Sequence, residues 1–216
     1  MKLILVRHGE TDWVNEGKYQ GATDVSLNER GFKQAKKVAL AIKKEKPFAI
    51  YCSKLKRVRQ TAKSIATTCR KKLAVDARLN EISFGVWEGF SFREIKGWYP
   101  EAVYNWYHTT WASHPTGGES LESLKKRISL FMRELKKKYK GRQGGTCVLV
   151  THGGPIRMIL LELLKIPVSL FWTIRVDPAS ISVVNITEKY EELTLLNSQA
   201  HLNGCQTTFA YKQKKK

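Results

Sequence analysis

The sequence is poor in acidic residues and has no long apolar run. Against 38 Lys and Arg stand 19 Asp and Glu in 216 residues, a formal net charge of +19. A surface of this charge favours anionic partners. No stretch approaches the roughly 18 apolar residues of a membrane span, and the apolar run in the opening MKLILVRHG is too short for a signal peptide. These absences predict a soluble, cytoplasmic protein without a membrane partner.

Cysteine is also scarce. The spacing typical of a zinc site or a redox motif is missing, because the cysteines lie far apart and form no CxxC pair. We therefore expect reduced packing residues, no metal site and no cofactor. With 42% hydrophobic residues, the chain can form one core of ordinary size, so disorder is excluded and a single domain is expected over residues 1–216. The cysteines are Cys52, Cys69, Cys147 and Cys205.

Short apolar runs of strand length alternate with longer helical patterns, which indicates an α/β fold. Two amphipathic patterns predict helices over residues 30–45 and 119–139. Two further helices are expected after Ser53, a plausible N-cap, and after Gly153. The predicted strands are LILV at 3–6, FAIY at 48–51, CVLV at 147–150 and a terminal pair formed by SISVVNITE and ELTLLN.

Residues 97–124 contain no lysine or arginine but six aromatic residues. At the average of the chain, about five basic residues would be expected in this window. The bias predicts a cap inserted over the sheet, at about residues 90–120. Its aromatic side chains either pack a small subdomain, which is the more ordinary role, or stack on a flat leaving group. They are Trp98, Tyr99, Tyr104, Trp106, Tyr107 and Trp111.

The residues that follow the predicted strands are the first candidates for a functional site. In an open α/β sheet, ligands bind beyond the carboxyl ends of the strands. Two arginines and two histidines are therefore expected to converge on one rim. They are Arg7 and His8 after the first strand, Arg57 after the second, and His152, followed by Gly153, after the third.

The helix after Ser53 begins with an excess of positive charge, although the helix dipole is already positive at that end. A phosphate bound there would supply the missing negative charge. Arginine suits this task, because its planar guanidinium can bind two phosphate oxygens at once. The charged residues are Lys54, Lys56, Arg57 and Arg59.

Histidine is the natural nucleophile in such a pocket. A neutral imidazole can attack phosphorus without a metal, and water can hydrolyse the resulting phosphoramidate. The charges of Arg7 and Arg57 disfavour imidazolium and should keep His8 neutral. The leaving alkoxide needs a proton, and Glu81 is the best donor because the neighbouring Ile82, Phe84, Val86 and Trp87 could desolvate it. The residues thus predict a metal-independent phosphomonoester hydrolase with a phosphohistidine intermediate.

Seven segments, in an order that spans almost the whole chain, resemble the histidine phosphatase superfamily. The resemblance is to branch 1, which includes cofactor-dependent phosphoglycerate mutases and alpha-ribazole phosphatases. It implies a three-layer α/β/α sandwich with a mostly parallel mixed sheet and a helical cap insertion. The segments are LVRHGETDW, QGATDVSLNERG, YCSKLKRVRQTA, LNEISFGVWEG, HPTGGES, VLVTHGG and NSQAHL.

The resemblance also assigns roles to individual residues. It implies that His8 accepts the phosphoryl group and that Glu81 donates the proton. Arg7, Arg57 and His152 would complete the phosphate pocket. Thr11, Gln20, Gly21 and Gly153 would line it.

One position departs from the family pattern. The family usually reads RHGETxWN, whereas this chain reads RHGETDWVN, with Val14 where a phosphate-contacting asparagine is expected. Valine cannot donate that hydrogen bond. Either Asn15 replaces it through a shift of the loop, or the pocket loses one donor.

The choice between a phosphatase and a mutase depends on the cations near the pocket. A mutase resembling phosphoglycerate mutase must hold a carboxylate and a second phosphate, yet residues 97–124 supply no cation. We therefore expect a phosphatase that acts on a small phosphorylated metabolite, with a mutase-type phosphotransferase as the alternative.

An alternative from another class is a polyanion-binding or nucleic-acid-binding protein with a degenerate phosphatase pocket. The lysines at 136–140 fall between the apolar positions of one predicted helix, and no aromatic residue alternates with them as in single-strand binders. A solvated helix face explains them better, so nucleic acid is not the favoured partner.

Overall fold

The computed structural model describes residues 1–108, 111, 113–142 and 144–207, which form a six-stranded mixed sheet with helices on both faces. The strands are β1 (Lys2–Arg7), β2 (Ala49–Cys52), β3 (Leu73–Val75), β4 (Thr146–Thr151), β5 (Ile181–Ile186) and β6 (Glu191–Ser198). Their order is β3-β2-β4-β1-β5-β6. The first four strands run parallel, and β5 and β6 are antiparallel to their neighbours.

Helices cover the sheet in two layers. They are α1 (Asp12–Asn15), α2 (Glu29–Lys43), α3 (Lys56–Cys69), α4 (Phe92–Trp98), α5 (Pro100–His108), α6 (Leu121–Lys138) and α7 (Gly153–Leu163). Alternate side chains of β1 point to opposite faces, as the pleat of a strand requires. Leu3 and Leu5 belong to the core under α6 and α7, whereas Ile4 and Val6 belong to the core under α2 and α3. The three-layer α/β/α sandwich implied by the family resemblance is confirmed.

The sequence located the main elements correctly but differed from the structure in two places. The three apolar runs and the terminal pair form β1, β2, β4, β5 and β6. The edge strand β3 was not predicted, because its three residues are mostly exposed and make no apolar run. The expectation that Ser53 caps α3 is wrong: the N-cap is Leu55, and the Ser53 hydroxyl accepts the Leu55 N–H instead.

The predicted cap contains α4 and α5. Of its six aromatic side chains, Trp106, Tyr107 and Trp111 pack in or against the core, whereas Trp98, Tyr99 and Tyr104 are exposed. Trp106 is only 2% exposed, and its ring lies within about 6 Å of the rings of Phe84, Trp87 and Trp172. Residues 109, 110 and 112 of the cap, like the basic tail at 208–216, lie outside the described residues. None of the described helices has both the length and the apolar character of a membrane span.

The segment that carries His8 crosses α2 at two glycines. A Cβ on Gly9 would lie 2.6 Å from the carbonyl oxygen of Gly31, and a Cβ on Gly31 would lie 2.0 Å from the carbonyl oxygen of Glu10. Both separations are far below van der Waals contact, so only glycine permits this approach of two backbones. The crossing fixes the chain at the point where it leaves β1.

Replacing Gly31 by alanine should therefore destabilise the protein, although alanine normally favours a helix. We expect Gly31→Ala to lower the free energy of unfolding by roughly 1–3 kcal/mol, a typical cost of overpacking. Gly97→Ala is the matched control, because Gly97 is also helical and its Cβ would meet nothing within 4 Å. It should gain about 0.5–1 kcal/mol. Urea unfolding measures both, and a Gly31→Ala variant as stable as Gly97→Ala would contradict the close approach.

Candidate active site

Seven of the ten predicted site residues line one cavity of about 1000 Å³. The cavity lies beyond the carboxyl ends of β1 and β4, where the parallel strands of an α/β sheet place their ligands. The sequence-based expectation that these side chains converge is met by the geometry. The seven residues are Arg7, His8, Gln20, Gly21, Arg57, Glu81 and Gly153.

His8 follows β1 directly, and its ring is buried. Its Nδ1 lies 2.7 Å from the carbonyl oxygen of Gly9, which can only accept a hydrogen bond, so Nδ1 carries the proton. Burial, and then the positive charges of Arg57 and Arg7, hold the pKa of His8 well below its usual value, against the opposing effect of the Gly9 hydrogen bond. The ring is therefore neutral near pH 7, and the lone pair resides on Nε2.

The two arginines beside His8 are held by backbone carbonyl groups. Arg57 donates from Nη1 to Thr23 at 2.8 Å and from Nη2 to Gly21 at 2.7 Å, and Arg7 donates from Nη1 to Val176 at 2.6 Å. Burial lowers the pKa of each guanidinium to about 10, so both remain charged at neutral pH.

Each of these guanidinium groups also has one buried N–H donor that makes no hydrogen bond within the described part of the chain. The Nε atoms of Arg7 and Arg57 have no hydrogen-bond partner among the described residues. A buried donor without an acceptor is costly, and more so on a charged group. An anion between the two arginines would supply the missing acceptors.

His152 occupies the N-cap position of α7 and faces His8. The two rings are 5.2 Å apart, edge to face. The Ser53 hydroxyl donates to Asn80 Oδ1, so it accepts from His152 Nε2 at 2.9 Å, and Nδ1 of His152 has no partner in the described part of the chain. Burial, and next the charge of Arg57, lower the pKa of His152 well below its usual value. A second neutral imidazole thus lies beside His8.

Glu81 reaches the cavity from the segment after β3. Its Oε1 accepts the backbone N–H groups of Ile82 at 3.0 Å and Gly154 at 3.1 Å. A Cβ on Gly154 would lie 2.4 Å from that oxygen, so a side chain at this position would displace the Glu81 carboxylate. Of the four expected apolar neighbours, three are buried, but Val86 is 45% exposed and cannot desolvate the carboxylate.

Arg127 on α6 fixes the backbone that carries Glu81. Its guanidinium donates to the carbonyl oxygens of Arg78, Asn80 and Glu81 and forms an ion pair with Glu119 at 2.7 Å. Four acceptors from two segments hold one rigid donor group. The position of the Glu81 main chain is therefore set by a residue that the sequence reasoning did not identify.

Three of the ten predicted site residues, His152, Thr11 and Asn15, are not among the lining residues of the cavity. Thr11 is buried, caps α1 through Val14, and donates its hydroxyl to Gln20 at 2.9 Å, so it supports a lining residue. Asn15 is exposed, whereas Val14 lines the cavity. The suggested replacement by Asn15 is thus not realised, because α1 turns Asn15 to solvent and Val14 inward.

The excess positive charge at the start of α3 has a different counter-charge from the one expected. The Lys56 N–H donates to Asp24 Oδ1 at 2.5 Å. A carboxylate of the protein, not a phosphate, therefore accepts a hydrogen bond at the N-terminus of α3 and supplies the negative charge there. Asp24 lies 32 residues away in sequence, so no local pattern pairs the two. The start of α7, with Gly153, is the helix N-terminus that borders the cavity.

The cavity holds more cations than the sequence of the cap suggested. The absence of lysine and arginine from residues 97–124 was taken to favour a phosphatase over a mutase that holds a second anion, but other elements supply cations to the cavity. Arg157 lies one helical turn after Gly153 on α7, a spacing that the sequence could have revealed. Its guanidinium also stacks on Trp172, 5.6 Å from the ring centroid. The additional cations lining the cavity are Lys18, Arg93, Arg157 and Arg175.

The aromatic side chains of the cap, whose stacking on a leaving group was the alternative to packing, do not border this cavity. None of these six residues is among the lining residues, which instead include Tyr19, Phe84, Phe92 and Trp172. The ordinary packing role is the correct one for the buried ring of Trp106. Among the described residues, no group of three or more His, Cys, Asp or Glu side chains is placed to hold a metal ion.

The family model of the histidine phosphatase superfamily, branch 1, matches residues 3–199. The chain belongs to this superfamily. Phosphoserine phosphatase 1 of Hydrogenobacter thermophilus is 38% identical over 202 residues, which are 94% of either chain.

Solved structures agree with this membership. Phosphoserine phosphatase from Entamoeba histolytica, in complex with phosphoserine, has a TM-score of 0.83 at 32% identity, covering 93% of this chain and 98% of the other. The alpha-ribazole phosphatase from Shigella flexneri has a TM-score of 0.82 at 29% identity, covering 92% and 96%. These relatives mark the chain as a phosphatase of the superfamily.

Proposed function

We propose that this protein is a metal-independent phosphomonoesterase that transfers the phosphoryl group of a small metabolite first to Nε2 of His8 and then to water. One observation carries the proposal. A buried, neutral imidazole with a free lone pair lies beside two buried guanidinium groups whose Nε–H donors have no acceptor within the described chain.

In the first step, Nε2 of His8 attacks phosphorus opposite the leaving oxygen. Arg7 and Arg57 donate to the equatorial oxygens, where charge accumulates in the transition state. The bond between phosphorus and the leaving oxygen breaks, and that oxygen takes a proton from Glu81. The products are phospho-His8, the free alcohol and the Glu81 carboxylate.

In the second step, the Glu81 carboxylate takes a proton from water while the water oxygen attacks phosphorus. The bond between Nε2 and phosphorus breaks and returns a neutral imidazole. Inorganic phosphate leaves the guanidinium pair. Glu81 ends the cycle protonated, as it began.

A quench experiment tests the covalent step. With a radiolabelled phosphomonoester, the wild type should acquire a label that is labile in acid and stable in base, as expected of a phosphohistidine. His8→Ala should acquire none and lose hydrolysis, also in the presence of a chelator, whereas His114→Ala should behave as the wild type. Full activity in His8→Ala, or a label stable in acid, would contradict the mechanism.

The substrate class follows from the cations beside the phosphate pocket. A Cβ on Gly153 would lie 3.2 Å from Nη1 of Arg157 and 3.9 Å from Cζ of Arg7, so these two guanidinium groups flank the same point. A monoester with a carboxylate a few bonds from its phosphate could contact both. Two relatives named phosphoserine phosphatases support this class. We infer that a phosphoserine-like compound is a better substrate candidate than a phosphomonoester with a flat aromatic leaving group.

The same cations favour a second candidate function, phosphotransfer of the mutase type, in which another anionic molecule and not water receives the phosphoryl group. Interconversion of phosphoglycerates that is faster than release of phosphate would favour it. The polyanion-binding alternative has less support, because its premise was a degenerate pocket, whereas His8 and Glu81 both line the cavity.

Arg157→Met tests the carboxylate contact on phosphoserine and phosphoethanolamine, which differ by the carboxylate. Loss of a charged hydrogen bond, about 1.5–3 kcal/mol, should lower kcat/KM for phosphoserine roughly 10- to 150-fold. Phosphoethanolamine should be nearly unaffected. Arg59→Met removes the same charge from an exposed position of α3 and controls for long-range steering. Equal losses of kcat/KM on both substrates would mean that Arg157 contacts the phosphate and not the carboxylate. An unchanged kcat/KM for phosphoserine would contradict the proposed contact with the carboxylate.

A further inference from the structure

Glu88 has a side chain that the proposed reaction does not use, although it collects five hydrogen bonds. Its Oε1 accepts from the backbone N–H of Ala22 and of Phe84, both at 2.9 Å, and from the Ser83 hydroxyl at 3.2 Å. Its Oε2 accepts from the N–H of Thr23 at 2.9 Å and from the Thr23 hydroxyl at 2.5 Å. This half-buried carboxylate thus ties residues 21–23 to the segment that follows Glu81.

Residues 21–23 lie between this carboxylate and Arg57. The N–H groups of Ala22 and Thr23 donate to Glu88, and the carbonyl oxygens of Gly21 and Thr23 accept from the two terminal nitrogens of Arg57. Gly21 has a φ of +50°, and a Cβ there would lie 2.0 Å from Glu88 Oε1. The close packing of carboxylate against backbone requires glycine at this point.

The orientation of the Arg57 guanidinium depends on these two carbonyl groups. Each terminal nitrogen of Arg57 donates one N–H to a carbonyl group of residues 21–23. These two hydrogen bonds fix the plane of the guanidinium group and therefore the direction of its Nε–H. That Nε–H is buried and has no acceptor among the described residues.

We propose that Glu88 is a positioning residue that orients Arg57 toward the transferring phosphoryl group through residues 21–23. The proposal rests on the proposed function of Arg57 as a phosphate ligand. Glu88 touches neither the phosphate nor the reacting atoms. It acts by holding the backbone whose carbonyl groups set the guanidinium.

Glutamine cannot take over this role. Whichever way its amide is turned, the NH2 group faces a backbone N–H, from Thr23 in one orientation and from Ala22 and Phe84 in the other. Glu88→Gln therefore removes acceptors without removing bulk, and residues 21–23 should shift away from Arg57.

The test is the affinity for vanadate, a mimic of the transferring group, together with kcat/KM on two substrates. In Glu88→Gln we expect vanadate affinity and kcat/KM to fall roughly 100-fold, the scale of an ångström-sized misplacement. The loss should be equal on p-nitrophenyl phosphate, whose leaving group needs no proton, and on phosphoserine, whose leaving group does. Ile65→Val, in the core behind Arg57 on α3, controls for a lower Tm and should keep its vanadate affinity.

The outcomes that would overturn the proposal are distinct. A lower Tm with unchanged vanadate affinity would make Glu88 merely structural. A loss confined to phosphoserine would mean that Glu88 acts through Glu81. If Glu88→Gln fails to fold, Thr23→Val removes one of the five hydrogen bonds and should weaken vanadate binding about 2- to 10-fold. An unchanged affinity in Thr23→Val would then overturn the proposal. Vanadate binding needs no turnover, so an inactive wild type would refute the proposed function but leave this test intact.

Discussion

The burial of two guanidinium groups beside one neutral imidazole is the constraint on which the rest of the site depends. A buried charge is costly unless it is hydrogen-bonded, and the simplest remedy would be a carboxylate partner. Arg7 and Arg57 instead bond to backbone carbonyl oxygens, which satisfy some donors without cancelling the charge. The positive field that a phosphate needs is thereby retained. The same field, added to burial, lowers the pKa of His8 and leaves its Nε2 free to attack.

The carboxylates of the site act mostly on the backbone and not on the phosphate. Glu119 pairs with Arg127, which donates to three carbonyl oxygens around Glu81, and Glu88 accepts from the N–H groups of Ala22 and Thr23. Each fixes the backbone beside a residue to which the proposed mechanism gives a role, Glu81 or Arg57. Such support makes a catalytic group rigid, which preserves the geometry that phosphoryl transfer depends on.

The sequence was sufficient for the sheet, the main helices and the convergence of the candidate side chains, because His8, Arg57 and His152 follow strands whose carboxyl ends must meet. It was insufficient wherever a contact joins distant segments without a repeating pattern. Asp24 at the start of α3 and Glu88 against residues 21–23 are of this kind. The positions of Val14 and Asn15 depend on the turn of a four-residue helix, which no periodicity specifies. Arg157 was the avoidable omission, since its spacing from Gly153 places both on one face of α7.

The central claim, that His8 is a neutral imidazole with its proton on Nδ1, can be measured directly by nitrogen-15 NMR of the histidine rings in the protein without ligand. At pH 6.5, where half of an ordinary histidine is charged, the His8 ring should show one protonated nitrogen, Nδ1, and one bare nitrogen, Nε2. It should remain so as the pH falls, until well below that value. An imidazolium at pH 6.5, or a neutral ring protonated at Nε2, would contradict the account.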